Sequence, residues 1–389
     1  MRKSLFNIYV YTFLYSFLLL NPIWVIYLLK LGYTIFYVTI LDIIFYVTIV
    51  VTSFPMGRLA DRYGRKPALI ISSITTGIGI IFFGLFTSFA GIALSYVLWG
   101  VGVAINSSAF ESLTFDYSTS HELKYLEIYG VVNFLSALSV AIASVIGGFV
   151  GQFFGLKVVI LITGAVVIAS SVSSFRIREK RLNLPKSRKK INYSKYIRDR
   201  KVFSLLVIRI ALLINFNIMI LFKQPYYTAM GIGTALIGII FFVDVLVRGM
   251  FSLYSQKLSF IVKDRFTSML FFTSVTFFTI FIPGLLSDPF TVFLLILNSA
   301  IFGFYTNILS EEVNGLIPSE VRASVLSFIF IISALATTAA EPGLGYLASV
   351  RGVRFTLSIF SFIFLVMATF AIFVYIQGKD SGRFSLRPG

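Results

Sequence analysis

Residues 57–66 read Gly-Arg-Leu-Ala-Asp-Arg-Tyr-Gly-Arg-Lys and lie between two long apolar runs. The segment holds four cations, one anion and two glycines in a chain of which only 13% of the residues are charged. A segment this short cannot bury a core of its own, so it does not fold independently. We therefore interpret 57–66 as a tight cytoplasmic hinge that joins two membrane spans.

The composition outside this segment is that of a membrane protein. The chain has 389 residues, of which 58% are hydrophobic, and its mean hydropathy is +0.92. Soluble domains are roughly half apolar, and an apolar run of about 20 residues is long enough to cross a bilayer. Such runs recur along the whole chain. The first, 5–29, contains Pro22, lacks a small-residue cleavage site and exceeds a signal-peptide apolar region, so we expect it to be retained as a helix.

The apolar runs predict an all-α integral membrane protein with twelve transmembrane helices. The predicted spans are 4–29, 34–57, 67–87, 89–115, 125–153, 156–175, 202–228, 234–257, 266–286, 289–311, 321–349 and 353–377. Of the 33 Lys and Arg residues, 26 fall at the two termini and in every second loop, and five fall in the intervening loops. Because cytoplasmic loops are enriched in cations, we expect both termini of this multi-pass protein of the plasma membrane to be cytoplasmic.

A basic linker divides the chain. We predict an N-terminal six-helix bundle at 1–175, a cytoplasmic linker at 176–201, and a C-terminal six-helix bundle with a short cytoplasmic tail at 202–389. The linker holds twelve of the cations. We interpret it as a solvated connector that fixes topology, with binding of anionic lipid headgroups as the alternative. The alternation of charge between loops argues against a nucleic-acid partner.

The two halves resemble each other. Leu-Gly-Tyr-Thr at 31–34 recurs as Met-Gly-Ile-Gly-Thr at 230–234, Asp42 has a counterpart in Asp244, and Glu111 has one in Glu311. Each match is weak alone, but their order is preserved. Two parallel six-helix repeats related by an axis along the membrane normal are an architecture of transporters.

The segment 57–66 resembles the signature of the major facilitator superfamily, and the twelve spans, the linker and the duplication extend that resemblance over the whole chain. The resemblance implies a conformational latch, in which the second span holds the eleventh and releases it as the protein changes state. The expected latch residues are Gly57, Arg58, Asp61, Arg62, Gly64, Arg65 and Lys66. We expect Gly57 to allow close helix approach, Gly64 to adopt a positive φ, and Asp61 to pair with nearby arginines. The alternative is a simple topology anchor.

Two departures from the family pattern affect the expected mechanism. The counterpart segment, 256–265, keeps its cations and contains Asp264, but it has no Asp at the position that corresponds to Asp61 and no second Gly, so the predicted latch is asymmetric. The drug–proton antiporter branch usually carries an Arg in the fourth span where this chain has Tyr96, and a Gly-Pro motif in the fifth where this chain has Ala-Ser-Val-Ile-Gly-Gly at 143–148. The two differences from the antiporter branch, in the fourth and fifth spans, weaken the expectation of multidrug antiport.

Carboxylates inside the spans are the predicted proton-coupling groups, because an ionisable residue at a helix centre costs about 2.5–3.5 kcal/mol. The sharpest hypothesis is that Asp42 and Glu341 approach each other when the outer side is closed and separate, releasing a proton, when it opens. The alternative is that each lines a water-filled funnel or caps a kink. Asp244 and Glu111 are further candidates, and Asp244 shares a helix face with Arg248, which favours an ion pair.

Polar residues in the spans expected to line a central cavity are candidates for substrate contact. The candidates are Asn21, Trp24, Asn106, Asn133, Arg209, Asn217, Asn298 and Tyr305. For each Asn the alternative is a hydrogen bond that holds helices together. For Arg209 the alternatives are a side chain that reaches the headgroups and one that faces the cavity and an anionic substrate.

We therefore expect a monomeric secondary active transporter that works by alternating access, as a proton-coupled antiporter that exports an amphiphilic organic compound. The alternatives are proton-coupled uptake of a small, anionic metabolite and a transporter-like receptor without transport. The chain has no Cys and a single His, His121, which argues against an enzyme and against a metal site. No Gly-rich phosphate loop followed by Lys-Ser/Thr occurs, so we expect no nucleotide or other cofactor.

Overall fold

A computed structural model of the protein describes residues 2–121, 124–177, 200–255, 265–316 and 319–380, and these ranges contain helices and no strands. The helices are α1 Arg2–Tyr15, α2 Trp24–Lys30, α3 Ile35–Tyr63, α4 Arg65–Leu85, α5 Phe89–Ser120, α6 Tyr125–Phe153, α7 Leu156–Phe175, α8 Arg200–Ala229, α9 Thr234–Leu253, α10 Arg265–Leu285, α11 Phe290–Leu316, α12 Ser319–Arg351 and α13 Val353–Asp380. Ten of the helices in these ranges are long and apolar enough to cross a membrane. The all-helical prediction is confirmed.

The first predicted span is not one helix. α1 ends at Tyr15 and α2 begins at Trp24, and the residues between them form turns. Pro22 explains the break, because proline lacks the N–H that a helix interior needs and disfavours helical geometry at Asn21 before it. The prediction of a continuous helix over 4–29 is therefore wrong at this point.

The helices fall into two compact units. The first unit comprises Met1–Lys186 together with Gly231–Leu246. In it α4 packs against α5 and α7, α3 against α5, and α1 against α6 and α7. A Cβ added at Gly77 of α4 would lie 2.6 Å from the carbonyl oxygen of Gly164 in α7, so these two backbones are in contact. Small residues at such crossings are typical of helix packing in membranes.

The second unit comprises Ser187–Met230 and Val247–Gly389. In it α13 packs against α8 and α10, and α8 also packs against α11 and α12. Its core is a cluster of aliphatic and aromatic side chains from α8, α10, α11 and α13. The Ser204 hydroxyl donates to the carbonyl of Ala371 at 2.6 Å and joins α8 to α13. Most of the predicted linker, 176–201, lies outside the described residues, so the predicted division of the chain there stays a prediction.

Candidate functional site

The reversal within 57–66 is a single residue. α3 continues to Tyr63 and α4 begins at Arg65, so only Gly64 lies between them. Its φ of +112° and ψ of 152° are accessible to glycine and strained for other residues. The prediction of a positive φ at Gly64 is confirmed. The prediction of a ten-residue hinge is wrong, because residues 57–63 remain helical in spite of Gly57 and complete α3.

Arg65 connects this turn to the end of α5. Its guanidinium forms an ion pair with Asp116 and donates to the carbonyl of Ser112 at 2.7 Å. The side chain of Asp116 is only 7% exposed, so the pair is largely removed from water. Sequence reasoning missed Asp116, although an acidic residue near the end of an apolar span was a visible signal.

Two further latch cations, Arg58 and Arg62, lie exposed at the end of α3. The guanidinium of Arg58 lies 4.2 Å from the ring centre of Phe54, and that of Arg62 lies 5.6 Å from the ring centre of Tyr63. Lys66 is partly buried in the first turn of α4. A Cβ added at Gly57 would meet Ser108 of α5 at 3.6 Å, an ordinary van der Waals distance, so the close approach expected there is not required in this conformation.

Three predictions about the latch depend on residues that are not described. The side chain of Asp61 and most of the counterpart segment, 256–264, lie outside the described residues. The pairing of Asp61 with arginines, the asymmetry of the two segments and the latch between the second and eleventh predicted spans therefore stay predictions.

Asp42 lies in α3 beside Tyr96 of α5, near enough to its hydroxyl for electrostatic interaction. Tyr96 is 2% exposed, and its hydroxyl has no hydrogen-bond partner among the residues that the structure describes. The Tyr96 ring contacts the rings of Phe45, at 6.4 Å, and Trp99, at 5.8 Å. Tyr96, which stands where the drug–proton antiporter branch has an arginine, is thus a neighbour of Asp42, the acid predicted to couple transport to protons.

The other candidate acids lie in different environments. Glu341 is fully buried in α12 immediately before Pro342, and Asp244 is partly buried in α9. Glu111 is exposed on α5 and interacts electrostatically with Tyr125 and Tyr129 of α6. The approach of Asp42 to Glu341 stays a prediction.

In the first unit, Asn106 belongs to a network of hydroxyl groups. Its Oδ1 accepts from the Tyr11 hydroxyl at 2.6 Å, and the Tyr11 ring stacks on Tyr15 at 5.5 Å. Asn21 lies in the α1–α2 connection, Trp24 begins α2, and Asn133 is exposed on α6. Their contact with a substrate stays a prediction.

In the second unit, Asn298 is buried between helices. Its Oδ1 accepts from Asn215 of α8 at 3.0 Å, and its Nδ2 donates to Thr279 of α10 at 2.9 Å. Tyr305 is 2% exposed and stacks on Phe272 at 4.7 Å within the core. These contacts favour the packing alternative for both residues in this conformation. Asn217 and Arg209 are partly buried on α8.

A stacked group in the second unit escaped sequence reasoning. The rings of Phe216 in α8 and Phe302 in α11 are nearly parallel, with centres 4.2 Å apart, and the guanidinium of Arg248 in α9 lies 4.8 Å from the centre of Phe216. The Lys223 ammonium donates at 2.8 Å to Ser299, which lies about one turn before Phe302 on α11. Lys223 is only 5% exposed. The three stacked side chains are far apart in sequence, so only the packing of the helices reveals the group.

Comparison with known proteins places these features in a family. Over 155 residues, 39% of this chain and 38% of the relative's length, the chain is 26% identical to multidrug resistance protein 2 of Bacillus subtilis (strain 168). The fold resembles a bacterial homologue of the human lysosomal transporter Spinster, at 16% identity and a TM-score of 0.74 over 99% of this chain and 98% of the other. It also resembles the nucleoside transporter NupG, at 13% identity and a TM-score of 0.75 over 98% and 100%. The major facilitator superfamily model matches residues 5–340, and the chain belongs to that family of membrane transporters.

Proposed function

We propose that the chain is a secondary active transporter that exports an amphiphilic organic compound in exchange for protons. The observation that carries the proposal is Asp42, a carboxylic acid inside α3 that lies beside the buried hydroxyl of Tyr96. Ionisable groups within spans are costly and are retained for function. A carboxyl group that meets water on alternate sides of the membrane can take up a proton on one side and release it on the other.

Glu341 is proposed as the second coupling acid. It is the fully buried acid of α12, and Pro342 follows it. A proline inside a helix frees a backbone carbonyl and allows bending there, so the position of Glu341 can change as the helix bends. Asp244 and Glu111 are weaker candidates, because Asp244 lies one turn from Arg248 and Glu111 is exposed on α5.

Export of an amphiphilic compound is favoured over uptake by the partial similarity to a multidrug resistance protein. Uptake of a small anionic metabolite is the second candidate, and it is supported by Arg209, whose buried Nη1 atom has no hydrogen-bond partner among the described residues. A transporter-like receptor is the third, and it predicts ligand binding without flux. We further propose that the protein is a monomer in the plasma membrane with both termini cytoplasmic, and that its basic linker contacts anionic lipid headgroups.

Flux through the purified protein in liposomes tests the proposal. We expect a proton gradient to drive movement of an amphiphilic aromatic dye, such as the anion 1-anilinonaphthalene-8-sulfonate, in the direction opposite to the protons. Substrate movement in the same direction as the protons supports uptake, and binding without any flux supports the receptor. Flux that is the same with and without the gradient contradicts proton coupling.

A further inference from the structure

The stack in the second unit has a defined order. Phe302 lies parallel to Phe216 at 4.2 Å with an angle of 9° between the ring planes, so it covers one face of Phe216. The guanidinium of Arg248, 4.8 Å from the same ring centre, therefore covers the other face. All three side chains are partly buried. The result is a flat cation–aromatic–aromatic stack built from α8, α9 and α11.

Glycine packing fixes the position of this stack. A Cβ added at Gly303, next to Phe302, would lie 2.4 Å from the carbonyl oxygen of Arg248, so α9 and α11 touch at the level of the stack. About one turn further, the side-chain amide of Asn307 donates to the Ser252 hydroxyl at 2.7 Å. The helices that carry Arg248 and Phe302 are thus held together by backbone contact and a hydrogen bond, which places the two flat groups reproducibly.

A second cation, Arg209, lies on α8 near the stack of Phe302, Phe216 and Arg248. Arg209 is seven residues before Phe216, which places it on nearly the same helix face at a separation of about 10 Å. Its Nη1 atom is buried without a hydrogen-bond partner among the residues that the structure describes. A buried donor of a charged group without an acceptor is costly. An anionic oxygen atom supplied by a ligand would satisfy it with a charge-assisted hydrogen bond.

The surrounding charges favour an anion over a cation. Lys223 follows Phe216 by seven residues on nearly the same face of α8, and its ammonium donates to the hydroxyl of Ser299. The face of α8 that carries Arg209, Phe216 and Lys223 therefore presents two cations and one aromatic ring, and no acid.

We propose that the second unit contains a subsite for a planar aromatic acid, with the aromatic ring extending the Phe302–Phe216–Arg248 stack and the acidic group accepting hydrogen bonds from Arg209. This inference rests on the proposed function and narrows its amphiphilic substrate to aromatic compounds that carry a carboxylate or a chemically similar anionic group. Stacking on a guanidinium and an aromatic ring selects flat π systems, and a guanidinium selects oxygen anions.

Ligand binding to the purified full-length protein, in detergent and without a pH gradient, tests the subsite. Three probes separate the contributions: 2-naphthoate, its saturated analogue decahydro-2-naphthoate, and 2-naphthylmethylammonium. We expect calorimetry to detect binding of 2-naphthoate, with the other two at least about fivefold weaker, since one lacks the ring stacking and the other the anion. Equal affinity for the aromatic and the saturated acid, equal affinity for the cation, or no binding of 2-naphthoate overturns the proposal.

Substitutions locate the binding. Phe216→Leu and Phe302→Leu are each expected to weaken 2-naphthoate binding about 2- to 12-fold, and Arg209→Gln about tenfold or more. Phe293→Leu, on the same helix as Phe302 but at a 58% exposed position, is the matched control and is expected to leave the affinity unchanged. Thermal unfolding without ligand verifies that each variant is folded. If Phe293→Leu weakens binding as much as Phe302→Leu, or if Arg209→Gln has no effect, the subsite is wrong.

Failure of the subsite is distinguishable from failure of the proposed function. Gradient-driven dye flux without 2-naphthoate binding contradicts the subsite and leaves proton-coupled export standing. Binding of 2-naphthoate that depends on Phe216 and Arg209, without any flux in liposomes, supports the subsite and contradicts export.

Discussion

Arg65, at the start of α4, is paired with Asp116 in the last part of α5, and their side chains are only 18% and 7% exposed. The pair joins the residue that follows the turn at Gly64 to a helix of the same unit. One cation of the signature segment therefore holds α4 against α5 within the first unit.

Removing one member of this pair is expected to destabilise the first unit. Asp116→Asn leaves Arg65 without its anion, and loss of one partner from a buried pair costs about 3–5 kcal/mol, with a smaller loss expected at this partly exposed site. Thermal unfolding of the single variants and of Arg65→Gln/Asp116→Asn completes a double-mutant cycle. Glu127→Gln, which breaks the exposed Lys124–Glu127 pair, is the control and is expected to cost at most about 1 kcal/mol. Additive effects of the two single changes would contradict a direct interaction.

The two glycines of the signature segment are expected to respond differently to alanine. Gly64→Ala forces a side chain into a φ of +112° and is expected to cost about 1–3 kcal/mol. Gly57→Ala places its methyl group 3.6 Å from Ser108 without strain, and a helix interior favours Ala over Gly. Thermal unfolding compares them directly. A larger loss for Gly57→Ala than for Gly64→Ala would show that another conformation needs the closer approach.

Close contact between α6 and α9 depends on Gly148 and Gly238. A Cβ added at Gly238 would lie 2.4 Å from the carbonyl oxygen of Ser144, so Gly238→Val is expected to push the two helices apart. Because the natural chain has no cysteine, spin labels at Phe153→Cys and Leu236→Cys, both exposed positions, report the separation by pulsed electron spin resonance.

We expect Gly238→Val to lengthen or broaden this distance distribution. Gly130→Val, on α6 where an added Cβ meets nothing within 4 Å, is the control and is expected to leave the distribution unchanged. An unchanged distance in Gly238→Val would mean that the helices do not depend on this contact.

The buried amide pair of the second unit is expected to contribute to stability. Asn298→Ala removes the partner of both Asn215 and Thr279, and we expect a loss of about 1 kcal/mol or more. Asn133→Ala, at an exposed position of α6, is expected to change stability little. Thermal unfolding and substrate affinity measured together separate packing from substrate contact. If Asn298→Ala keeps full stability and loses affinity, the residue contacts the substrate instead.

The sequence was informative about the class of fold and less informative about local geometry. Apolar runs predict the length of the spans because the thickness of the bilayer sets it, and Gly64 marks a reversal because few other residues adopt its backbone angles. The extension of α3 to Tyr63 is not apparent from the sequence, because a run of charged residues between two apolar spans looks like a loop. Charged residues nevertheless form helices readily. The break between α1 and α2 does have a signal in the sequence, Pro22, and a prediction that gives this proline more weight ends the first helix before it.

The contacts between helices could not be predicted from the sequence. An acid near the end of an apolar span is only a weak signal in the sequence. The role of Asp116 becomes evident only when the structure places Arg65 beside it. Phe216 and Phe302 are two of 43 phenylalanines, and only the crossing of α8 and α11 distinguishes them. The proximity of Tyr96 to Asp42 likewise depends on how α3 crosses α5.

Proton coupling through Asp42 is the central claim, and transport by the Asp42→Asn variant in liposomes tests it most directly. We predict that the variant still exchanges labelled for unlabelled substrate at equilibrium but no longer accelerates net flux when a pH gradient is imposed. Glu127→Gln, a change at an exposed acid in the first turn of α6, is the control and should keep the full response. If Asp42→Asn responds to the gradient as strongly as the unmodified protein, Asp42 does not couple transport to protons.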